Sequence, residues 1–84
     1  METDVTNLIG LEIYTDKGYK LGVVDDVMLD TESQSIYGLY VERTNEGLVE
    51  DGVAVLVPYR WVRAVGDVIL LKRFPAFVSV STSE

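Results

Sequence analysis

Residues 53–74, VAVLVPYRWVRAVGDVILLKRF, constrain the fold more than any other stretch of this chain. A β-branched-rich apolar run is stopped by Pro58, which has no N–H to give to a ladder. An aromatic and basic corner, Tyr59-Arg60-Trp61, follows, and a Gly66-Asp67 turn leads into a second apolar run, Val68 to Leu71. Apolar runs this short, bounded by proline and glycine, suit strands better than helices. The expected fold class is therefore all-β: a small barrel of about five or six short strands with little or no helix. Closure into a barrel removes exposed sheet edges.

The upstream sequence has the same grammar. Residues 11–15 alternate apolar and polar, and Asp16-Lys17-Gly18 supplies a turn. In the longest run, residues 19–29, Leu21, Val23, Val27 and Leu29 share one parity, Asp25 intrudes on it, and Val24 has the opposite parity. A carboxylate facing the core is costly unless paired. A bulge at Asp25-Asp26 that moves the buried register from Val24 to Val27 resolves the conflict and bends the sheet. Residues 36–42 read as a strand with Tyr37, Leu39 and Val41 on one face and Ile36, Gly38 and Tyr40 on the other. Residues 43–51 read as a loop with a short extended piece at Leu48-Val49, and residues 53–57 suit a strand buried on both faces. Residues 60–65 form either one helical turn or a short strand.

Eighty-four residues allow one small domain, which buries roughly 60–65% of its unfolded surface. Oligomerisation is a natural way to add burial to so thin a core. The chain has no cysteine and no histidine, which removes disulfides, thiolates, the commonest general base and the commonest metal ligand. No apolar run approaches the ~20 residues of a membrane span. METDVTN is acidic where a secretion signal needs basic residues, so a cytoplasmic protein is expected. The net charge is −7, yet residues 60–73 hold four basic residues and one acid, against three basic and thirteen acidic elsewhere. Such a basic segment in an acidic frame is either a solvated surface, a self-complementary one or a dock for an acidic partner.

The segment LIGLEIYTDKGYKLGVVDDVMLDTESQSIYGLYV resembles the first half of a PRC-barrel domain. It offers an opening Leu-Ile-Gly strand, a glycine-bearing strand, an Asp-rich strand end and a hairpin into Gly-Leu-x-Val. VLVPYRWVRAVGDVILL resembles the closing half of stand-alone archaeal members, and the likeness runs over residues 8–71. The resemblance implies a PRC-type β-barrel that serves protein interaction, with no catalytic residues and no cofactor. Stand-alone archaeal members of the CdpB type are dimeric cell-division adaptors that bind the membrane-anchoring protein SepF, which connects to the FtsZ ring. The implied partners are a second copy, a SepF-like protein or another PRC-barrel protein, with no membrane insertion and recruitment to midcell. The alternative is a ribosome-associated factor like the C-terminal domain of RimM. On this reading residues 1–7 are an N-terminal extension, 8–73 the barrel, and 74–84 a tail for interaction or dimerisation whose polar end, 79–84, frays.

Candidate interaction residues are Tyr59, Arg60, Trp61, Arg63, Arg73, Phe74 and Phe77, since Trp, Tyr and Arg are the types enriched at contact hot spots. Trp61 either plugs one end of the barrel or faces a partner. Phe74 and Phe77, which follow the last strand across Pro75, either fold back as a cap or pack on a second copy or partner. Asp25, Asp26 and Asp30 have a D-D-x-x-x-D spacing that on a helix gathers carboxylates around Mg²⁺, but on a strand scatters them. Four basic residues make a poor footprint for nucleic acid. A ligand-holding sensor barrel needs an internal cavity that a domain this small does not provide.

Overall fold

In a computed structural model of the chain, which describes residues 5–79, seven strands form two sheets. They are β1 (Glu12–Tyr14), β2 (Lys20–Val23), β3 (Asp26–Asp30), β4 (Ser35–Val41), β5 (Val55–Pro58), β6 (Val62–Val65) and β7 (Ile69–Leu71). One sheet has the order β2-β1-β7-β6 and the other β3-β4-β5. These strands pair antiparallel except β1 with β7, where Ile13 faces Ile69. The only helical pieces among the described residues are 3-10 turns at Val5–Asn7, Glu50–Gly52 and Tyr59–Trp61. The all-β expectation holds. Seven strands replace five or six because residues 19–29 split into β2 and β3, and residues 60–65 supply both a 3-10 turn and β6.

The split at Val24-Asp25 folds one sheet onto the other. Val24 N–H donates to Leu11 O at 3.0 Å and Val24 O accepts from Gly10 N–H at 2.8 Å, while Asp25 N–H donates to Tyr40 O at 2.8 Å. The corner thus serves the segment leading into β1 on one side and β4 on the other, which is how a bent strand switches sheets. Val24 is buried and Val27 packs against the core from a half-buried position, as the register argument required. Asp25 does not face inward. Its Oδ2 accepts the Glu42 N–H at 2.7 Å, replacing a ladder bond that the corner costs β4. The ladder irregularity itself falls three residues later, between Met28 and Leu29, and skips Tyr37. Leu39 and Val41 therefore point inward and Tyr37, of the same parity, stands exposed, while Ile36 packs on the core.

A second seam joins β2 to the segment after β4 through a Gly22–Thr44 bridge and a 2.8 Å bond from Asn45 N–H to Leu21 O. A Cβ on Gly22 would lie 2.7 Å from both Arg43 O and a Val41 methyl, so only glycine permits this approach. Between the sheets lies one core: Leu8, Ile13, Leu21, Val24, Leu39, Val41, Leu48, Val49, Val57, Ile69, Leu71 and Phe74.

Two local expectations are corrected. Residues 8–10, read through the resemblance as an opening strand, form a turn in which Leu8 is buried and Gly10 takes φ +94°. The run at residues 53–57 is not buried on both faces: Val57 is inside, but Val53, Ala54 and Leu56 are exposed. A two-sheet domain of this size has one core layer, and nothing in the described residues covers the outer face of β5. Residues 80–84, the greater part of the polar end, and residues 1–4 of the N-terminal extension lie outside the described residues.

Candidate functional site

The aromatic and basic corner is built where β5 turns into β6. Pro58 ends β5 with an extended backbone, and the 3-10 turn Tyr59–Trp61 redirects the chain into the other sheet. Tyr59 and Trp61 are half-buried and pack on the core, while Arg60 between them is exposed. Strand pairing then brings the far end of the basic segment alongside. Val62 faces Leu71, and one step further Lys72 N–H donates to Trp61 O at 2.8 Å. Lys72 and Arg73 therefore emerge beside Arg60 and Trp61, and Arg63 stands on the adjoining strand. All four cations are exposed.

None of these four cations is in an ion pair among the described residues. Of the seven lysines and arginines, Lys17 pairs with Asp16 at 3.5 Å and Lys20 with Glu12 at 3.3 Å. Among the described residues no carboxylate lies within 4.0 Å of Arg43, Arg60, Arg63, Lys72 or Arg73. Four of these five belong to one corner. Four exposed cations without an ion pair at one corner of a chain of net charge −7 make a local excess of positive charge at the surface.

The two alternatives for the aromatic residues after β7 are each realised once. Phe74 folds back: it is only 8% exposed, and its ring meets Trp61 edge-on, with centroids 6.1 Å apart and planes at 89°. Trp61 is thereby wedged against the core, and Phe74 is no surface contact residue, because the core has already claimed its ring. Phe77 is 50% exposed. Just beyond it the chain is tied down again, Val78 lying parallel to Val49 with Val78 N–H donating to Leu48 O and Glu50 N–H to Val78 O, both at 2.8 Å. Of the candidate residues, Tyr59, Arg60, Trp61, Arg63 and Arg73 are gathered at one corner, Phe74 props them from within, and Phe77 stands on the strap leading away. Sequence reasoning passed over Lys72 as a site residue, although its place in the basic run signalled it.

Asp25, Asp26 and Asp30 do not converge. Asp25 holds Glu42 N–H, Asp26 Oδ1 accepts its neighbour Val27 N–H at 2.8 Å, and Asp30 Oδ1 accepts Glu32 N–H at 2.9 Å. Among the described residues no group of three or more acidic side chains is placed to hold an ion. A surface groove of about 540 Å³ follows the β2 seam, lined by Lys20, Gly22, Asp25, Glu42, Arg43 and Asn45 among others. Its cations and carboxylates balance, and Lys20 and Asp25 are already engaged. It selects no ligand of one charge. Nearby, Tyr14 Oη donates to Glu12 Oε1 at 3.0 Å. That bond, with help from Lys20, holds the Glu12 carboxyl below its ordinary pKa, and the same bond raises the Tyr14 phenol above its own.

No helix among the described residues is long and apolar enough to cross a membrane. The family model of the PRC-barrel domain matches residues 1–78. No curated protein matches the chain.

Proposed function

Since this chain belongs to the PRC-barrel domain family, we propose that it is a protein-interaction adaptor without chemistry of its own, docking an acidic partner on the corner formed by Arg60, Arg63, Lys72 and Arg73. The single observation that carries this reading is that corner: four exposed cations, none with a carboxylate among the described residues, held on a wedge of Tyr59, Trp61 and Phe74. Surface charges of this kind steer encounter and set orientation, and adjacent aromatic surface supplies the holding energy.

The likeness to stand-alone archaeal members extends the proposal. The partner is a SepF-like division protein or another PRC-barrel protein, the working unit is a homodimer, and the protein is cytoplasmic and recruited to midcell. The test is the double substitution Arg60→Glu and Arg63→Glu, with purification of the tagged protein from its native cells. The circular dichroism and melting point stay near those of the parent, and recovery of division proteins falls. A double variant that recovers them unchanged refutes the docking corner. Ribosomal proteins and rRNA in place of division proteins refute the division role. Light scattering of the purified chain tests the dimer.

A further inference from the structure

We infer that the free edge of β6 is a strand-docking edge selective for an extended, acidic peptide segment of the partner, and this rests on the docking corner proposed above. β6 closes the four-stranded sheet and pairs only with β7, so its other edge has no strand partner among the described residues. Three of its four residues, Arg63, Ala64 and Val65, are exposed, as is Leu70, which faces Ala64 across the ladder. A row of backbone groups on an open edge is a template for another strand, so folds normally guard it.

The other sheet ends show what guarding looks like here. The β2 edge is covered by Thr44 and Asn45. On β3 the Asp26 carboxylate occupies the Val27 N–H. β5, VLVP, ends in proline and carries no charge with which to choose a partner. At β6 the guard is Arg63, set in a ladder irregularity between Val62 and Ala64 and flanked by Arg60.

A cationic guard is selective rather than absolute. Antiparallel pairing of β6 with β6 of a second copy would set Arg63 near its own counterpart, and like charges across a ladder are destabilising. A strand carrying carboxylates meets the opposite situation, with Arg60, Arg63 and the nearby Lys72 and Arg73 all unpaired among the described residues. Backbone pairing supplies register and affinity, and the cations reject strands of the wrong charge.

The experiment titrates the ¹⁵N-labelled full chain with an end-blocked heptapeptide of alternating valine and glutamate. Comparison peptides carry lysine for glutamate, or N-methyl groups on alternate backbone amides. Shifts are expected at residues 60–65 and 69–73, with slowed amide exchange along β6. Affinity falls about fivefold to tenfold for Arg63→Glu, and at least about tenfold for the N-methylated peptide. The lysine peptide does not bind. Arg63→Gln supplies the same comparison if the reversed charge unsettles the fold. Shifts at another sheet edge, or no binding of the glutamate peptide at millimolar concentration, overturn the inference. Binding that depends on the arginines but ignores N-methylation overturns strand pairing while leaving the docking corner standing. An oligo-dT that occupies the same residues more tightly than the peptide overturns the acidic-peptide assignment.

Discussion

Truncating Phe74 to alanine is the sharpest test of how the corner is held. The ring is 8% exposed and stands edge-on to Trp61 at 6.1 Å. Phenylalanine-to-alanine changes in cores cost about 3–5 kcal/mol, less where neighbours can settle into the gap. Phe74 lies on the strap outside the strand ladders, so the expected loss is at the lower end, about 3 kcal/mol. A domain of this length has a total stability of roughly 4–12 kcal/mol at about 0.05–0.15 kcal/mol per residue. At about 4–8 °C per kcal/mol for a domain of this size, the melting point should drop by about 12–24 °C. Chemical unfolding followed by far-ultraviolet circular dichroism gives the loss, and Trp61, the single tryptophan, reports its own environment by fluorescence. A cycle with Trp61→Phe isolates the pair, expected to couple by about 0.5–1.5 kcal/mol. Phe77→Ala, three residues on, should change stability by no more than about 0.5 kcal/mol. If Phe74→Ala costs less than about 1 kcal/mol and leaves the fluorescence unchanged, the ring is not a wedge and the fold-back described above is wrong.

Gly22→Ala should destabilise by about 2 kcal/mol or more, since its Cβ meets the Arg43 carbonyl at 2.7 Å and backbone cannot step aside as a side chain can; a melting point within about 2 °C of the parent contradicts the seam. Asp25→Ala should cost about 1 kcal/mol by orphaning Glu42 N–H, and Glu42 should become the amide whose exchange accelerates most. Tyr14 should ionise above the usual tyrosine value of roughly 10, and Glu12→Ala should bring it down, read by absorbance near 295 nm. The raised phenol pKa stabilises the fold below the unfolded-state value and the effect is lost as pH rises through the folded one. The lowered Glu12 pKa acts oppositely, present above its unfolded value and lost as pH falls through the folded one.

Local chemistry made much of this fold readable. Pro58 stopped a strand, Gly18 allowed a turn with φ +86°, and the parity conflict around Asp25 located the corner. What local chemistry could not decide were choices made by distant partners. Phe74 and Phe77 have the same side chain on the same strap. Phe74 is inward because Trp61 waits thirteen residues earlier, and the Val78–Val49 bridge then fixes the strap beyond Phe77. Likewise residues 53–57 look interior by composition, but burial on the second face needs a layer that this chain does not build in the described residues. The basic corner was visible as a charge bias, yet only the pairing of Trp61 with Lys72 showed that its two ends meet.

The parallel contact of Ile13 with Ile69 joins the first described strand to the last. A chain emerging from the ribosome makes β1 early and must leave one side of it waiting until β7 has been made. Closure across so long a loop places the speed of folding among the slower small domains, in milliseconds to seconds rather than microseconds. In that interval β1 has a hydrophobic face and no neighbour on one side, which makes the newborn chain the most vulnerable form of this molecule.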